Sequence, residues 1–176
     1  PPQRPAKAPW GRSGDDLLLL YSGGTTGMPK GVMWAQDDLF NVIGAGGNAL
    51  LGIPPAVSTE DLVARIQGPD HLRPISLVAC PLMHGTGQFS SLICFNQGGT
   101  AAFLPSRRFN AMELWDEADR LEATAIVIVG LAFSTPMLEA LEANPGRWDL
   151  STVRAMSSSG SMWSQENKRG LLAHAK

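Results

Sequence analysis

Cysteine, histidine and charge are all scarce in this chain, and each scarcity argues against a class of protein. Its 176 residues contain 2 cysteines and 3 histidines, and Cys80 and Cys94 do not form a CxxC pair. This pattern argues against a disulfide scaffold and a metal site, and predicts two buried, reduced thiols in a cytoplasmic protein. The net charge of −2 predicts no sequence-independent grip on nucleic acid.

Long apolar runs are also missing. The longest, ATAIVIVGLAF at 123–133, is shorter than the roughly 20 residues of a membrane-spanning helix, so we expect no transmembrane segment. Residues 1–14 are rich in proline and lack the apolar core of a signal peptide, so we expect a connector there. Apolar residues make up 44% of the chain and charged residues 17%, which is typical of a globular domain. We assign this domain to residues 15–176.

From residue 15 onward, short apolar runs alternate with helical patterns. Capping patterns mark two helix starts, Ser58 with Asp61 and Asn110 with Glu113. This alternation predicts an α/β fold, a mainly parallel sheet with helices on both faces. The predicted strands are 17–22, 31–34, 74–82, 100–104, 125–129 and 152–157, and the predicted helices are 37–51, 58–66, 87–97, 111–122, 135–144 and 164–176.

The stretch YSGGTTGMPKGVMW at 21–34 is a candidate phosphate cradle between two strands. Glycines let backbone N–H groups approach phosphate oxygens, hydroxyls add donors, and a lysine adds positive charge. It is not a Walker loop, because Pro29 precedes Lys30 and Gly31 follows it, which argues against a P-loop NTPase. The plainer alternative is a glycine-rich turn. The candidate residues are Ser22, Gly23, Gly24, Thr25, Thr26, Gly27 and Lys30.

The run from Tyr21 to Val32 closely resembles the signature loop of the adenylate-forming superfamily, which includes acyl-CoA synthetases, luciferases and nonribosomal-peptide adenylation domains. PLMHGTG at 81–87 resembles the family's second core stretch, and His84 matches a histidine that lies beside the carboxylate substrate. SSGS at 158–161 takes the place of a Ser-Gly-Gly-Ala turn that contacts adenine and the acyl group. Ser159 replaces a glycine there, so the turn must differ if that glycine uses a positive φ.

The resemblance implies a reaction and a set of residues. The chain would be part of the large N-terminal domain of an AMP-forming acyl-CoA synthetase, without its C-terminal domain and without the glutamate that binds Mg²⁺. An acid would attack ATP to give acyl-AMP and pyrophosphate, and CoA or a carrier-protein thiol would displace AMP. The implied catalytic residues are Lys30 and His84, and the implied binding residues are Ser22, Gly23, Gly24, Thr25, Thr26, Gly27, Lys30, Ser159, Gly160 and Ser161.

The same resemblance bears on the substrate and on the fragment itself. Met28 and the GVMW that follows the loop are similar to fatty acyl-CoA synthetases, which implies a medium, long or branched acid, with an aryl or sterol side-chain acid still open. Because several charged groups of the family's site are absent, we expect the fragment alone to be inactive. The alternative is a non-catalytic nucleotide-binding or interaction module. Homo-oligomers could form through a sheet edge. For Phe133, a core role is favoured over a wall of the acyl pocket.

Overall fold

The described part of the chain forms six strands and six helices, and from β3 onward strands and helices alternate. The computed structural model describes residues 9–23, 27–49, 52–69 and 71–174. The chain divides into two compact units, residues 1–55 and residues 56–176. Within the described ranges, no helix is both long and apolar enough to cross a membrane. The first unit contains β1 (Leu17–Ser22), β2 (Lys30–Ala35) and α1 (Gln36–Val42).

The first unit is an antiparallel hairpin followed by a short helix. Strands β1 and β2 pair in register from Leu17 with Ala35 to Ser22 with Lys30, so the glycine-rich segment is a hairpin loop between two strands, as predicted. The predicted helix over 37–51 is wrong in length, because α1 ends at Val42. After the C-cap residue Ile43, Gly44, Ala45 and Gly46 have φ values of 95°, 45° and 77°, and a right-handed helix cannot continue through this left-handed backbone.

The second unit is built on a four-stranded parallel sheet in the order β4-β3-β5-β6, so the predicted α/β fold with a mainly parallel sheet is confirmed. Strand β3 is shorter than predicted, and β6 begins three residues later than predicted. The elements are α2 (Thr59–Gln67), β3 (Ile75–Val78), α3 (Gly85–Asn96), β4 (Thr100–Phe103), α4 (Ala111–Arg120), β5 (Ala125–Ile128), α5 (Leu131–Ala143), β6 (Ala155–Ser158) and α6 (Gln165–His174).

Two helix starts follow from local side-chain caps. The Ser58 hydroxyl accepts a hydrogen bond from the Asp61 N–H at 3.2 Å, which satisfies a donor in the first turn of α2. At the start of α4, Asn110 Oδ1 accepts from the N–H groups of Met112 and Glu113 at 2.9 and 3.3 Å. Both predicted capping positions are confirmed.

Helix α5 begins earlier than predicted. The sequence predicts a start at Thr135-Pro136, because proline is tolerated in a first turn. The helix instead begins at Leu131 and contains Pro136. Its first turn is fixed from outside the helix, since the Leu131 N–H donates to the Met162 carbonyl at 3.1 Å. A tertiary hydrogen bond therefore sets the helix start, and the proline removes one interior donor.

The core lies on the sheet face covered by α4, α5 and α6. Leu77, Ile126 and Ile128 pack there against Trp115 and other side chains of these helices. The Trp115 indole is fully buried, and its N–H donates to the Met137 carbonyl at 2.9 Å, so its polar atom is satisfied. A smaller cluster lies on the other face, because successive strand residues point to opposite sides. That cluster contains Val78, Cys80 and Val127.

The strand order creates a switch point between β3 and β5. From β3 the chain passes through α3 to β4 on one side, and from β4 it passes through α4 to β5 on the other side. Right-handed crossovers place helices that leave in opposite directions on opposite faces of a sheet. The carboxyl ends of β3 and β5 therefore border a crevice, and open α/β sheets bind ligands at this position.

A polar contact joins α4 to the segment after α5. Asp116 accepts a hydrogen bond from the Trp148 indole N–H at 2.7 Å and pairs with Arg147 at 3.1 Å. The Arg147 guanidinium also lies 5.1 Å from the Trp148 ring centroid. The hydrogen bond from Trp148, followed by the charge of Arg147, lowers the pKa of the Asp116 carboxyl below its ordinary value.

Asp116→Asn should lower the free energy of unfolding at about pH 7, and the difference from wild type should shrink at about pH 2.5. A carboxyl whose folded pKa lies below its unfolded value stabilises above the unfolded pKa, and that contribution is lost as the pH falls through the folded pKa. Urea unfolding across this range measures it, with Asp119→Asn on the same helix as the control. A difference that does not change with pH would contradict the assignment.

Candidate functional site

The hairpin loop brings part of the predicted phosphate cradle together. Lys30 is the first residue of β2, and its partner across the hairpin is Ser22. Gly23 and Gly27 lie on the loop between them, and an added Cβ on either would meet no described atom within 4 Å. Among the described residues, nothing therefore crowds the Cβ side of these two glycines. The other predicted cradle residues lie outside the described residues: Gly24, Thr25 and Thr26.

The second unit has an open cleft of ≈ 410 Å³ at the carboxyl ends of β3 and β6. His84 reaches it from the connection between β3 and α3, and Ser159 and Gly160 reach it directly after β6. The structure thus brings together residues that are about 75 positions apart in sequence and that the resemblance assigned to one site. The cleft is lined by His84, Gly85, Thr86, Phe89, Ser90, Ile93, Ser159 and Gly160.

His84 is both the N-cap of α3 and a wall of the cleft. Its Nδ1 accepts a hydrogen bond from the Thr86 N–H at 3.1 Å, which satisfies a donor in the first turn of the helix. A neutral imidazole that accepts at Nδ1 carries its proton on Nε2. The exposed ring can therefore donate its Nε2–H to an oxygen atom of a ligand in the cleft.

Gly160 approaches the imidazole so closely that a side chain would collide with it. A Cβ at this position would lie 2.8 Å from His84 Cε1 and 3.1 Å from Nε2. The φ of Gly160 is 82°, which favours glycine. Among the described residues, the non-glycine positions with positive φ are Ala45 and Glu122, so Ser159 is not one of them. Serine therefore fits at 159 without backbone strain, because the left-handed conformation falls on Gly160.

Two hydroxyl groups join the walls of the cleft. Thr86 Oγ1, in the first turn of α3, lies 2.5 Å from Ser159 Oγ in the turn after β6. It also donates to the Ser159 carbonyl at 3.4 Å. Thr86 thus contacts both sides of the cleft, through its N–H to His84 and through its hydroxyl to Ser159.

Ser161 lies beside the end of β5. Gly130 is buried with a φ of 59°, and a Cβ there would stand 2.7 Å from Ser161 Oγ and from the Met162 carbonyl. The Gly130 N–H donates to Ser158 Oγ at 2.8 Å. Sequence reasoning missed the role of Gly130, although a glycine between the buried run 125–129 and a helix indicates a tight connection.

Sequence reasoning also missed the face of α3 that lines the cleft. The observed helix begins at Gly85, two residues before the predicted start, so the predicted helix does not include Thr86. With that start, Thr86, Phe89, Ser90 and Ile93 have the i, i+3, i+4, i+7 spacing of one helix face. This spacing is the signal that could have identified them.

Phe133 belongs to the core. It packs against both clusters, and its ring centroid lies 4.6 Å from that of Phe109. The core role predicted for Phe133 is confirmed.

The two thiols are free and buried, as predicted. Burial raises the pKa of Cys80 and of Cys94 above the ordinary value. Both groups are therefore protonated at neutral pH, and neither is the reactive thiolate of a covalent acyl-transfer site.

The described residues contain no group of three or more histidine, cysteine or acidic side chains that could hold a metal ion. Arg107 and Arg108, after β4, are exposed.

The second unit is an open parallel α/β sheet with a cleft at the carboxyl ends of its strands, which is where sheets of this class bind ligands. The sequence profile described as "AMP-binding enzyme" matches residues 1–175, and the chain belongs to this family.

The chain is similar to known proteins of this family. It is 38% identical over 161 residues to a 3-oxocholest-4-en-26-oate–CoA ligase of Rhodococcus rhodochrous, covering 89% of this chain and 28% of that protein. It is 32% identical over 161 residues to the medium-chain acyl-CoA ligase Mig of Mycobacterium avium, covering 90% of this chain and 28% of that protein. The chain thus spans 28% of the length of either relative.

The fold is similar to that of the N-terminal domain of FACL13 from Mycobacterium tuberculosis, solved with a bound inhibitor. The TM-score is 0.61 at 18% identity, and the match covers 98% of this chain and 36% of that chain.

Gly160→Ala should displace the His84 ring, whereas Gly146→Ala should leave it in place. Both glycines have positive φ, 82° and 73°, so either alanine adds strain of about 1–2 kcal/mol. An added Cβ at Gly146 meets no described atom within 4 Å, so the contact with His84 is specific to Gly160. Urea unfolding measures the strain, and NMR shifts of the His84 ring protons measure the displacement. Equal His84 shifts in the two variants would contradict the contact.

Proposed function

We propose that this chain forms the nucleotide- and acyl-binding part of an AMP-forming acid–CoA ligase, whose substrates are a carboxylic acid, ATP and CoA. The observation that carries the proposal is the approach of Gly160 to within van der Waals reach of the His84 ring at the carboxyl ends of β3 and β6. The chain belongs to the AMP-binding enzyme family, and in it His84 offers a hydrogen-bond donor. Because Gly160 has no side chain, a ligand can pass close to its backbone beside this donor.

The acid we propose has a large apolar tail. Phe89 and Ile93 supply an apolar wall to the cleft, and His84 supplies a donor at its mouth. An apolar wall with a single polar anchor suits a carboxylate on a hydrocarbon chain. The names of the relatives from R. rhodochrous and M. avium, a steroid acid and medium-chain acids, support this class over acetate or an amino acid.

In the first step, a carboxylate oxygen attacks the α-phosphorus of ATP, and the bond to pyrophosphate breaks, which gives acyl-AMP. His84 would hold the carboxylate through Nε2–H. Lys30 and the backbone amides of the hairpin loop would have the role that the resemblance implies, which is to neutralise the charge on the departing pyrophosphate. In the second step, the CoA sulfur, as the thiolate, attacks the acyl carbon, the bond from that carbon to the phosphate oxygen of AMP breaks, and AMP leaves as the thioester forms. The chain's own part is positioning and charge neutralisation.

The proposal extends to the cellular setting. Two buried free thiols support a cytoplasmic location, and a fatty or steroid acid substrate supports a role in fatty acid metabolism. The edges of the four-stranded sheet, β4 and β6, offer positions where the remainder of the parent enzyme or a second copy could pair. The glutamate that the resemblance implies for the remainder of the parent enzyme would hold the Mg²⁺ ion that accompanies ATP.

A non-hydrolysable acyl-adenylate analogue should bind the chain saturably, and its affinity should rise with the length of the acyl tail. Each methylene buried against Phe89 and Ile93 contributes about 0.8 kcal/mol. Calorimetric titration with acetyl, decanoyl and sterol side-chain analogues measures this series. No binding to a folded chain, or equal affinity across the series, would contradict an apolar acyl site.

Acid- and CoA-dependent release of AMP by the whole protein tests the reaction itself, and the chain alone should form no acyl-AMP.

Lys30→Ala should leave the affinity for the analogue within about twofold of wild type, because the analogue carries no pyrophosphate. In the whole protein, the same change should slow acyl-AMP formation by roughly 100- to 1000-fold, since it removes a preorganised charge from the leaving group. Arg107→Ala removes an exposed cation elsewhere and is the control for net charge. A large loss of analogue affinity in Lys30→Ala would contradict the role assigned to this lysine.

A further inference from the structure

Thr86 touches both walls of the cleft through different groups. Its N–H donates to His84 Nδ1 at 3.1 Å, and its hydroxyl lies 2.5 Å from Ser159 Oγ. The two hydroxyls belong to segments 73 positions apart in sequence. They hold the first turn of α3 against the turn after β6, and we call this pair the Thr86–Ser159 clasp.

We infer that Thr86 is a positioning residue, which acts through His84 and sets the position of the imidazole relative to Gly160. If the clasp holds the two turns together, the ring is confined between the Thr86 N–H on one side and the backbone of Gly160 on the other. The spacing there is tight, because a Cβ on Gly160 would stand 2.8 Å from His84 Cε1. The Nε2–H is thereby aimed into the cleft before a ligand arrives.

Ser159 supplies the second half of this device. Its φ lies outside the left-handed region, so the backbone at this position does not require glycine, and the serine hydroxyl is free to bond to Thr86. A residue without a hydroxyl at 159 would leave Thr86 Oγ1 with the weaker contact to the carbonyl at 3.4 Å. The clasp is therefore one bond between two side chains, and either side chain can be changed to break it.

The consequence for a ligand rests on the proposed function, whereas the clasp itself does not. A donor that is already oriented loses less conformational freedom when it binds an oxygen atom. Breaking the clasp should thus weaken the binding of an acyl-adenylate analogue by about 3- to 10-fold, the effect expected for one hydrogen bond.

The geometry can be tested by NMR in the free chain. One Hα of Gly160 points towards His84 Cε1, so wild type should show a nuclear Overhauser effect between this proton and His84 Hε1. Thr86→Val and Ser159→Ala each remove one hydroxyl of the clasp and should each weaken that effect. Thr86→Ser keeps the hydroxyl and should restore it. Thr135→Val makes the same exchange at an exposed site on α5 and should change nothing.

Titration of the same variants with the decanoyl-adenylate analogue tests the positioning role. We expect Thr86→Val, Ser159→Ala and their double variant to lose the same amount of affinity for the analogue, because all three break the same hydrogen bond between Thr86 and Ser159. Additive losses, or an unchanged Overhauser effect in folded Thr86→Val and Ser159→Ala, would overturn the inference. Variants that lose the Overhauser effect but bind the analogue with wild-type affinity would also overturn the inference, since the clasp would then be structural only. If neither the wild type nor any variant binds the analogue, the proposed function fails. The Overhauser effect would still show whether the clasp sets the position of the His84 ring.

Discussion

The parallel pairing of β3 with β5 and of β5 with β6 is the constraint on which the rest of the second unit depends. It brings the carboxyl ends of these strands to one edge of the sheet, where each strand passes into a turn. The pairing is stabilised by burial of Leu77 and Ile126 under the helices that carry Trp115 and Met137. Because the turns lie beyond the strand ends and not on a buried face of the sheet, they form the walls of a cleft. The site is thus a consequence of strand direction.

Contact between the turns depends on small residues and on satisfied polar groups. Gly130 lets the end of β5 meet Ser161, and Gly160 lets the turn after β6 meet the His84 ring. A larger residue at either position would separate the turns. Hydrogen bonds then fix their positions, from the Gly130 N–H to Ser158 Oγ and between the hydroxyls of Thr86 and Ser159. The ring of His84 is held by the first turn of the helix that it caps, so one side chain serves both the fold and the site.

Features that depend on neighbouring residues could be predicted, and features that depend on distant ones could not. The caps at Ser58 and Asn110 are contacts over two or three positions, and the sequence pattern identifies them. The start of α5 was predicted wrongly, because a carbonyl 31 positions away, that of Met162, accepts from its first N–H. The length of α1 was predicted wrongly as well. The apolar spacing predicts a helix that continues to residue 51, but three residues that follow α1 adopt left-handed backbone, and the spacing does not reveal this.

The sequence by itself determined the chemistry available to this protein: a glycine-rich loop with a lysine, a histidine before a helix, and a turn of small residues after a strand. These properties belong to single segments, and the alternation of strands and helices is enough to predict a parallel sheet. Only the tertiary structure decided which groups meet. That Gly160 rather than Ser159 takes the left-handed conformation, and that Ser159 bonds to Thr86, depends on the register of β5 with β6 and on the packing of α3. Such contacts join segments about 70 positions apart, and local patterns do not encode the geometry between them.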